Sequence, residues 1–464
     1  MLRTWAFAAC YVAIHGSSAS AGTFDQYDAK AEAIVQSFSP EQLLGQMTQL
    51  DLGMIMNSDT RELNETAVRT YAKMYVGSYL NTYFSEPVNG TYGFSPRAFR
   101  AMIQRIQEIS MEENGGHPII YGIDSVHGAN YVDGSVLFPQ QINSAASFNP
   151  QLLFDAARVT ARDTEAAGIS WIFAPILDIS QHKLWARTFE TFGEDTYLAT
   201  VMADAIVRGL QSRNQTAACL KHFIAYSKEP TGHDRENVLV SDFDILNTFM
   251  PPYKAAMEAG ALSVMENYIS INGDPVIRSS KLLNGLLRND LQFDGVLLTD
   301  WAEIYNLHDW HRVSASRKEA VATSLMQTSV DVSMVPTDTD FIQYGLTMLE
   351  QHPEQLERLR QSVKRVIKLK LGLGLYEKPV PGNEYVTLTG NKQDVATALD
   401  MARESIVLVQ NNNATLPLPK QASVFLTGPK EMAGMETEPF VMDFSSKSQN
   451  RNRGNYRCSK KREG

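Results

Sequence analysis

Residues 295–304 read GVLLTDWAEI, a short apolar run that stops on a carboxylate. Val296, Leu297 and Leu298 have the character of a buried β-strand, and Asp300 follows them with Trp301 beside it. A carboxylate that is buried alone is costly, so it is normally paired, hydrogen-bonded or used in chemistry. The rest of the chain must therefore supply partners for Asp300.

The same pattern, an apolar run followed by a stretch with helical character, occurs eight times. The runs are QMTQLD (46–51), VGSYLN (76–81), PIIYGID (118–124), WIFAPILD (171–178), ACLKHF (218–223), LSVMENY (262–268), GVLLTD (295–300) and VDVSMV (330–335). Helices are predicted between them, at 150–167, 197–212 and 317–328 among others, and a last one at 354–370. Eight strands that are apolar on both faces and alternate with helices predict an α/β fold, a (β/α)8 TIM-like barrel.

Polar residues end several of these runs. They are Asp124, Asp178, Lys221, His222, Tyr268 and Asp300. A single such residue is more simply read as a strand end that binds a loop, and for Asp178 we favour that structural reading. Because the carboxyl ends of barrel strands converge on one mouth, the group as a whole predicts a common site.

The length and net charge of the chain limit its number of domains and the kinds of partner that it can bind. The chain has 464 residues with 44% hydrophobic and 20% charged residues, enough for a barrel with additions or for two domains. Its formal net charge of −10 argues against a nucleic-acid partner and against an anionic membrane surface.

The first residues have the layout of a secretory signal peptide, predicted at 1–21. Arg3 precedes an apolar stretch at 5–14, and small residues follow at 19–21. A buried N-terminal helix is the alternative. The signal predicts a secreted, extracellular protein, and four glycosylation sequons agree with export: Asn64, Asn89, Asn214 and Asn413. Cys10 would leave with the signal, so Cys219 and Cys458 form no disulfide framework.

The chain is predicted to change character after the barrel, which we place at 22–378. A linker rich in Pro and Gly is expected at 379–394, and a second α/β domain begins at 395–429 with a helix and strands at 406–409 and 424–426. This second domain is incomplete. The pattern fails over residues 430–464, and their polar, basic end at 445–464 favours a disordered, solvated tail over one that binds anionic glycans.

Five segments resemble the family 3 glycoside hydrolases, which include β-glucosidases. They are YGIDSVHG (121–128), WARTFETFGED (185–195), KHFIAYS (221–227), VMENYISING (264–273) and LLTDWAEI (297–304). The resemblance extends over residues 38–429 in the family's order, and ARESIVLVQN (402–411) resembles the start of the family's second domain, an α/β sandwich. It implies a retaining enzyme that removes terminal, non-reducing β-D-glucose, although xylose and N-acetylglucosamine stay open.

The resemblance also implies a role for each matched residue. Asp300, in TDW where the family commonly has SDW, would be the catalytic nucleophile. Residues that would hold sugar hydroxyls are Asp124, Arg187, Lys221 and His222, while Tyr268 would lie beside the nucleophile and Trp301 would flank the ring. The chemistry agrees, because a retaining glycosidase needs an ionised carboxylate, and Lys221, His222 and Arg187 are expected to keep Asp300 ionised by opposite charge.

The chain departs from the family where a second catalytic group is needed. A general acid must protonate the leaving oxygen, and in two-domain members this is a Glu of the second domain that nothing here matches. The pair His233-Asp234 occupies the loop where one branch of the family has its acid, but TGHDREN does not match that branch. Two hypotheses follow: a secreted hydrolase whose C-terminal part is missing, or a glycan-binding protein that cannot complete hydrolysis.

No metal or cofactor is predicted, because HDWH (308–311) lacks the further ligands that a metal site would need. The expected partner is a carbohydrate. The sequence defines no oligomeric state.

Overall fold

Eight parallel strands form the centre of the chain in the computed structural model, which describes residues 21–57, 59–82, 93–426 and 440–443. The strands are β1 Thr48–Asp51, β2 Ser78–Leu80, β3 Ile120–Ile123, β4 Trp171–Ile172, β5 Ala217–Phe223, β6 Ser263–Glu266, β9 Val296–Leu298 and β10 Ser333–Met334. They pair in the order β10-β1-β2-β3-β4-β5-β6-β9. A parallel bridge between Leu298 and Val332 joins the two ends of this order, so the sheet closes into a barrel. The predicted barrel of eight parallel strands is confirmed, and each predicted run contains one strand, except that β5 begins one residue before its run.

Helices cover the outside of the barrel. They are α1 Asp28–Gln36, α2 Pro40–Gln46, α3 Glu65–Lys73, α4 Pro96–Glu113, α5 Gln141–Ala146, α6 Pro150–Ala166, α7 Thr196–Leu210, α8 Asp242–Asp244, α9 Met250–Glu258, α10 Glu303–Asp309, α11 Arg317–Gln327, α12 Asp340–Gln351, α13 Leu356–Gly372 and α14 Lys392–Glu404. Segments Ile245–Phe249 and Lys281–Asp290 are π-helical. A short hairpin, β7 Ser270–Ile271 with β8 Asp274–Pro275, follows β6. Among the described helices, none combines the length and the apolar character that a bilayer crossing requires.

Large side chains fill the barrel interior. Trp171 is fully buried, stacks edge-on against Phe173 at 5.5 Å between ring centroids, and donates from Nε1 to Ser263 Oγ at 2.7 Å. Gly122 makes room for this pair, because a Cβ at that position would lie 2.2 Å from the Phe173 ring. The interior is therefore a packed core, and only the two ends of the barrel are open to other chemistry.

The predicted linker is fixed to the barrel at its start. Arg100 on α4 donates to the carbonyl oxygens of Val380 and Pro381, and Val380 itself is buried. By contact density the chain divides into two compact units between Ile406 and Val407, so α14 belongs to the first unit, whereas the boundary predicted from sequence lies at residue 395.

The predicted strand at 406–409 is wrong. These residues have no regular structure and their side chains are exposed, up to 89% at Val409. A strand needs a hydrogen-bonding neighbour, and none of the described residues pairs with this apolar run. Among the described residues of the second unit, β11 Ser423–Leu426 pairs antiparallel with β12 Phe440–Asp443, which confirms the predicted strand at 424–426. The predicted signal peptide, up to residue 20, and most of the predicted tail lie outside the described residues.

A buried ion network lies at the end of the barrel where the strands begin. Asp331 is fully buried, and its Oδ2 accepts from Arg288 Nη2 at 2.7 Å and from the main-chain N of Leu297 at 2.9 Å. Its Oδ1 accepts from Arg365 Nη1 of α13 at 3.2 Å. One carboxylate thus joins a π-helical segment, strand β9 and α13.

We expect Asp331→Asn to lower the free energy of unfolding by about 3–5 kcal/mol, because it leaves the largely buried guanidinium of Arg288 without its counter-charge and leaves Arg365 with the exposed Asp294 alone. Urea denaturation of both proteins measures the difference. The matched control is Asp400→Asn, which removes an exposed partner of Arg403 and should change stability by less than about 1 kcal/mol. Equal effects of the two substitutions would contradict this account.

Candidate active site

A cavity of about 770 Å³ opens at the carboxyl ends of the strands. Every residue that the sequence selected for the site lines it: Asp124, Arg187, Lys221, His222, Tyr268, Asp300 and Trp301. Further residues of its wall include Asp51, Asn81, His127, Gln140, Phe189 and Glu190. A slightly larger cavity of about 840 Å³ lies at the opposite end of the barrel; its wall mixes apolar and charged side chains, and none of these residues belongs to it. The chemistry is therefore concentrated at the first cavity.

Asp300 lies just beyond β9 and is only 8% exposed. Its Oδ1 accepts hydrogen bonds from the Tyr268 hydroxyl at 2.5 Å and from the main-chain N of Trp301 at 2.7 Å. Its Oδ2 accepts no hydrogen bond from a described residue. Burial raises the pKa of Asp300 above its usual value, while the Tyr268 hydrogen bond and the charges of Lys221 and Arg187 partly offset the rise. The carboxylate is thus anchored through one oxygen while the other is left free.

His222 is a neutral hydrogen-bonding group in this site. Its Nδ1 and its main-chain N both contact Asp178 Oδ2, at 2.9 and 3.2 Å. Arg187 Nη1, which can only donate, lies 3.0 Å from Nε2, so Nε2 is the unprotonated nitrogen. Burial, followed by the charges of Arg187 and Lys221, holds the pKa of His222 well below its usual value.

The expected role of His222 as a positive neighbour of Asp300 is therefore corrected. Its Nε2 is 3.5 Å from Asp300 Oδ2, close enough to act, but the ring carries no charge at neutral pH. The sequence suggested a cation because it does not reveal the burial or the two flanking cations that keep the ring neutral.

Asp178 supports the site from behind. It is almost fully buried, and burial raises its pKa to about 7. Its Oδ2 fixes the His222 ring and main chain together, while Oδ1 has no partner among the described residues. The expectation that Asp178 has a structural role agrees with this geometry, and the group that Asp178 positions is His222.

Two ion pairs set the cationic groups in place. Glu190 accepts from Arg187 Nε at 2.9 Å and from Nη2 at 2.7 Å, which directs the remaining nitrogen towards His222. Lys221 contacts the carboxylate of Asp124 across the cavity wall. Glu190 was missed by sequence reasoning, although its position three residues after Arg187 on one short helical turn was a usable signal.

Aromatic side chains border the opening. Trp301 and Phe189 are partly exposed at 36% and 49% and both line the cavity. Arg235 lies over the ring of Tyr268, with its guanidinium carbon 3.8 Å from the centroid. Exposed aromatic faces beside paired hydrogen-bonding groups suit a ligand that is polar at its edges and apolar on one face.

The other carboxylates of the wall already have partners. Asp124 contacts Lys221, Glu190 binds Arg187, and Asp51 accepts from Asn81 Nδ2 at 2.7 Å and from the main-chain N of Gly53. Lys221 contacts only Oδ1 of Asp124, so among the described lining residues Asp300 and Asp124 each keep an oxygen free towards a ligand. His233 does not line the cavity; its side chain is 82% exposed and contacts Thr231.

Comparison with known proteins places this geometry in a family. Residues 41–369 match the family model described as "Glycosyl hydrolase family 3 N terminal domain". The chain is 39% identical to a lysosomal beta glucosidase of Dictyostelium discoideum, over 87% of this chain and 51% of that protein. It is 31% identical to a periplasmic beta-glucosidase of Salmonella typhimurium, over 67% of this chain and 41% of that protein.

Solved structures agree in fold. A β-glucosidase of Erythrobacter marinus superposes with a TM-score of 0.77 at 26% identity, covering 85% of this chain and 52% of that one. The β-glucosidase of Listeria innocua in complex with isofagomine superposes with a TM-score of 0.72 at 26% identity, covering 85% of this chain and 53% of that one. The chain spans about half the length of the curated relatives that it matches. On the family match and the shared barrel, this chain belongs to family 3 of the glycosyl hydrolases and contains the family's N-terminal domain.

Proposed function

We propose that the protein is a retaining β-glucosidase that removes terminal, non-reducing β-D-glucose from glucosides or oligosaccharides by double displacement, with Asp300 as nucleophile. The observation that carries the proposal is the state of the Asp300 carboxylate. One oxygen is held by Tyr268 and the Trp301 main chain, and the other is free at the floor of the cavity. A carboxylate held in this way can attack the anomeric carbon and form the covalent glycosyl-enzyme.

The remaining groups suit the binding of a sugar ring. Lys221 and Arg187 supply donors, Asp124 supplies acceptors for a pair of hydroxyls, and neutral His222 lies beside the nucleophile. Trp301 would pack on the apolar face of the ring. Glucose is favoured because the Dictyostelium and Salmonella relatives are named glucosidases, whereas a relative in Formosa agariphila named a beta-xylosidase is 29% identical.

A glycan-binding protein without hydrolysis is the second candidate. The observation that favours it is that Asp124, Glu190 and Asp51 each contact a donor of the wall, so none of them is an unpaired carboxyl group that could give its proton to the leaving oxygen. Both candidates share the same sugar pocket. They differ in whether bond cleavage follows binding.

The proposal extends to the parts of the chain that flank the barrel. Residues 1–21 would act as a secretory signal and the mature protein would be a secreted glycoprotein. Residues 395–429 would open an α/β sandwich like that of the family, and the exposed apolar run at 406–409 would find its strand partner there. The partner in solution would be a carbohydrate substrate.

The test uses 2,4-dinitrophenyl β-D-glucoside, whose leaving group barely needs protonation, with and without azide. We expect turnover by the wild-type protein, acceleration by azide, and formation of β-glucosyl azide by two successive inversions. Asp300→Ala should lower this turnover by at least about 1,000-fold because it removes the attacking oxygen. Release of dinitrophenolate and NMR of the product measure these outcomes.

Asp400→Asn, an exposed substitution, serves as the control and should turn over like the wild type. A protein that binds glucose without any release of dinitrophenolate would support the glycan-binding candidate instead. A protein that neither binds glucose nor turns over the glucoside would exclude both.

The fall of kcat/KM at acid pH, the acid limb of the pH profile, should report the protonation of Asp300. Because burial holds its pKa above the usual aspartate value, kcat/KM should start to fall with decreasing pH earlier than it would for an exposed aspartate. Lys221→Met removes a charge that lowers this pKa and should move the limb to still higher pH. If the acid limb stays at the same pH in Lys221→Met, it reports the ionisation of a group other than Asp300.

Asp178→Asn should lower kcat/KM by about 10- to 100-fold, because an amide does not reliably hold the Nδ1–H tautomer of His222. The measurement is the kinetics of the dinitrophenyl glucoside together with the melting temperature. Asp163→Asn makes the same change at a buried aspartate that binds Arg162 on α6, away from the cavity. That control should lower stability and leave kcat/KM near the wild-type value, whereas similar kinetic losses in both variants would mean a general folding effect.

A further inference from the structure

A second buried carboxylate lies directly behind the nucleophile and takes no part in the cavity wall. Glu266 is the last residue of β6 and is fully buried. Its Oε1 accepts the main-chain N–H of Asp300 at 3.1 Å. Its Oε2 is buried and has no hydrogen-bond partner among the described residues. An ionised carboxylate in that state would be very costly, while a neutral carboxylic acid would cost much less.

Glu303 on α10 is the acidic neighbour of Glu266 and is equally buried. It accepts from His311 at 2.6 Å through Oε1 and from Asn306 Nδ2 at 2.6 Å through Oε2. His311 also contacts the hydroxyl of Ser270, at 3.3 Å. Glu303 therefore has a donor on each oxygen, and of the two carboxyl groups Glu266 is the one suited to keep a proton.

The charges around Glu266 point the same way. Burial raises the pKa of Glu266 well above its usual value, and the negative charges of Glu303 and Asp300 raise it further. The cations of the site act elsewhere: Lys221 and Arg187 on the carboxylate of Asp300, and Arg235 on the ring of Tyr268. On the neighbouring strand β5, the residue paired with Glu266 is the apolar Phe223.

We propose that Glu266 is a positioning residue that holds the main chain of the nucleophile in its neutral, protonated form and ceases to support catalysis when it loses that proton. The inference rests on the proposed function of Asp300. Ionised Glu266 would place a second negative charge behind Asp300, with no cation beside it. Repulsion would then disturb the main chain that sets the attacking oxygen and would favour the protonated, inactive form of Asp300.

The pH profile of dinitrophenyl glucoside turnover tests this inference. In the wild type, turnover should fall on the alkaline side by about tenfold per pH unit once Glu266 ionises. Glu266→Gln cannot ionise but keeps an acceptor for the Asp300 N–H, so its turnover should persist through that range. Glu266→Ala loses the acceptor and should lower kcat by about 100-fold with little change in KM.

Glu229 offers a matched control. It is also buried, accepts one main-chain N–H, that of Arg235, through Oε1, and leaves Oε2 without a partner among the described residues. Burial raises the pKa of Glu229 to about 8. Glu229→Gln should keep the wild-type alkaline limb. If Glu229→Gln abolishes the limb, or if Glu266→Gln keeps it, the inference is overturned.

A readout without turnover separates this inference from the proposed function. Because burial raises the pKa of Glu229 to about 8, one resonance in the neutral-acid range at pH 7 should belong to Glu229 and vanish in Glu229→Gln. In protein labelled with ¹³C at the glutamate carboxyl carbons, a further resonance in this range should be present at pH 7 and should vanish in Glu266→Gln. Its absence overturns the inference whether or not the wild type hydrolyses the glucoside. Should the amide variant not fold, Glu266→Met provides a second neutral side chain of similar length, and the same resonance should be missing from its spectrum.

Discussion

A carboxylate that is nearly withdrawn from water is the constraint on which the site depends. Asp300 is 8% exposed, and its burial would favour the protonated, inactive form. Tyr268 and the Trp301 main chain oppose this through hydrogen bonds, and Lys221 and Arg187 oppose it through charge. These groups come from four different segments, so the site exists only when the barrel brings the strand ends together.

Each compensating group has a support of its own. Glu190 holds two nitrogens of Arg187, which leaves a third to fix His222, and Asp178 holds the other side of the same ring. The consequence is a neutral histidine between a cation and two carboxylates. Such a ring orients its neighbours without adding a charge that would attract the nucleophile away from a substrate.

The sequence predicted the barrel well because each strand carries its own signal: an apolar run of the right length and a polar residue where it ends. The same signal placed Asp124, Lys221, His222, Tyr268 and Asp300 at one mouth, whereas Arg187 and Trp301 were expected only from the family resemblance. It was wrong at 406–409, where the pattern was that of a strand but the neighbour that makes a strand was lacking. It also predicted a positive charge on His222, which is neutral, and did not single out Glu266, which lies in the strand-like run VMEN. Both depend on burial and on neighbours distant in the chain, which periodicity does not encode.

The free energy needed to keep the buried Asp300 carboxylate ionised helps to choose between the two candidate functions. A pocket that only binds sugar would gain stability from a neutral residue at this position, because hydroxyls are held well by amides and by the ion pair of Lys221 with Asp124. Instead the chain keeps a buried acid, two cations that favour its ionised form, and a second acid behind it. We therefore favour the proposed attack on an anomeric carbon, because it accounts for groups that hold one oxygen of Asp300 free and charged, whereas binding alone does not require them.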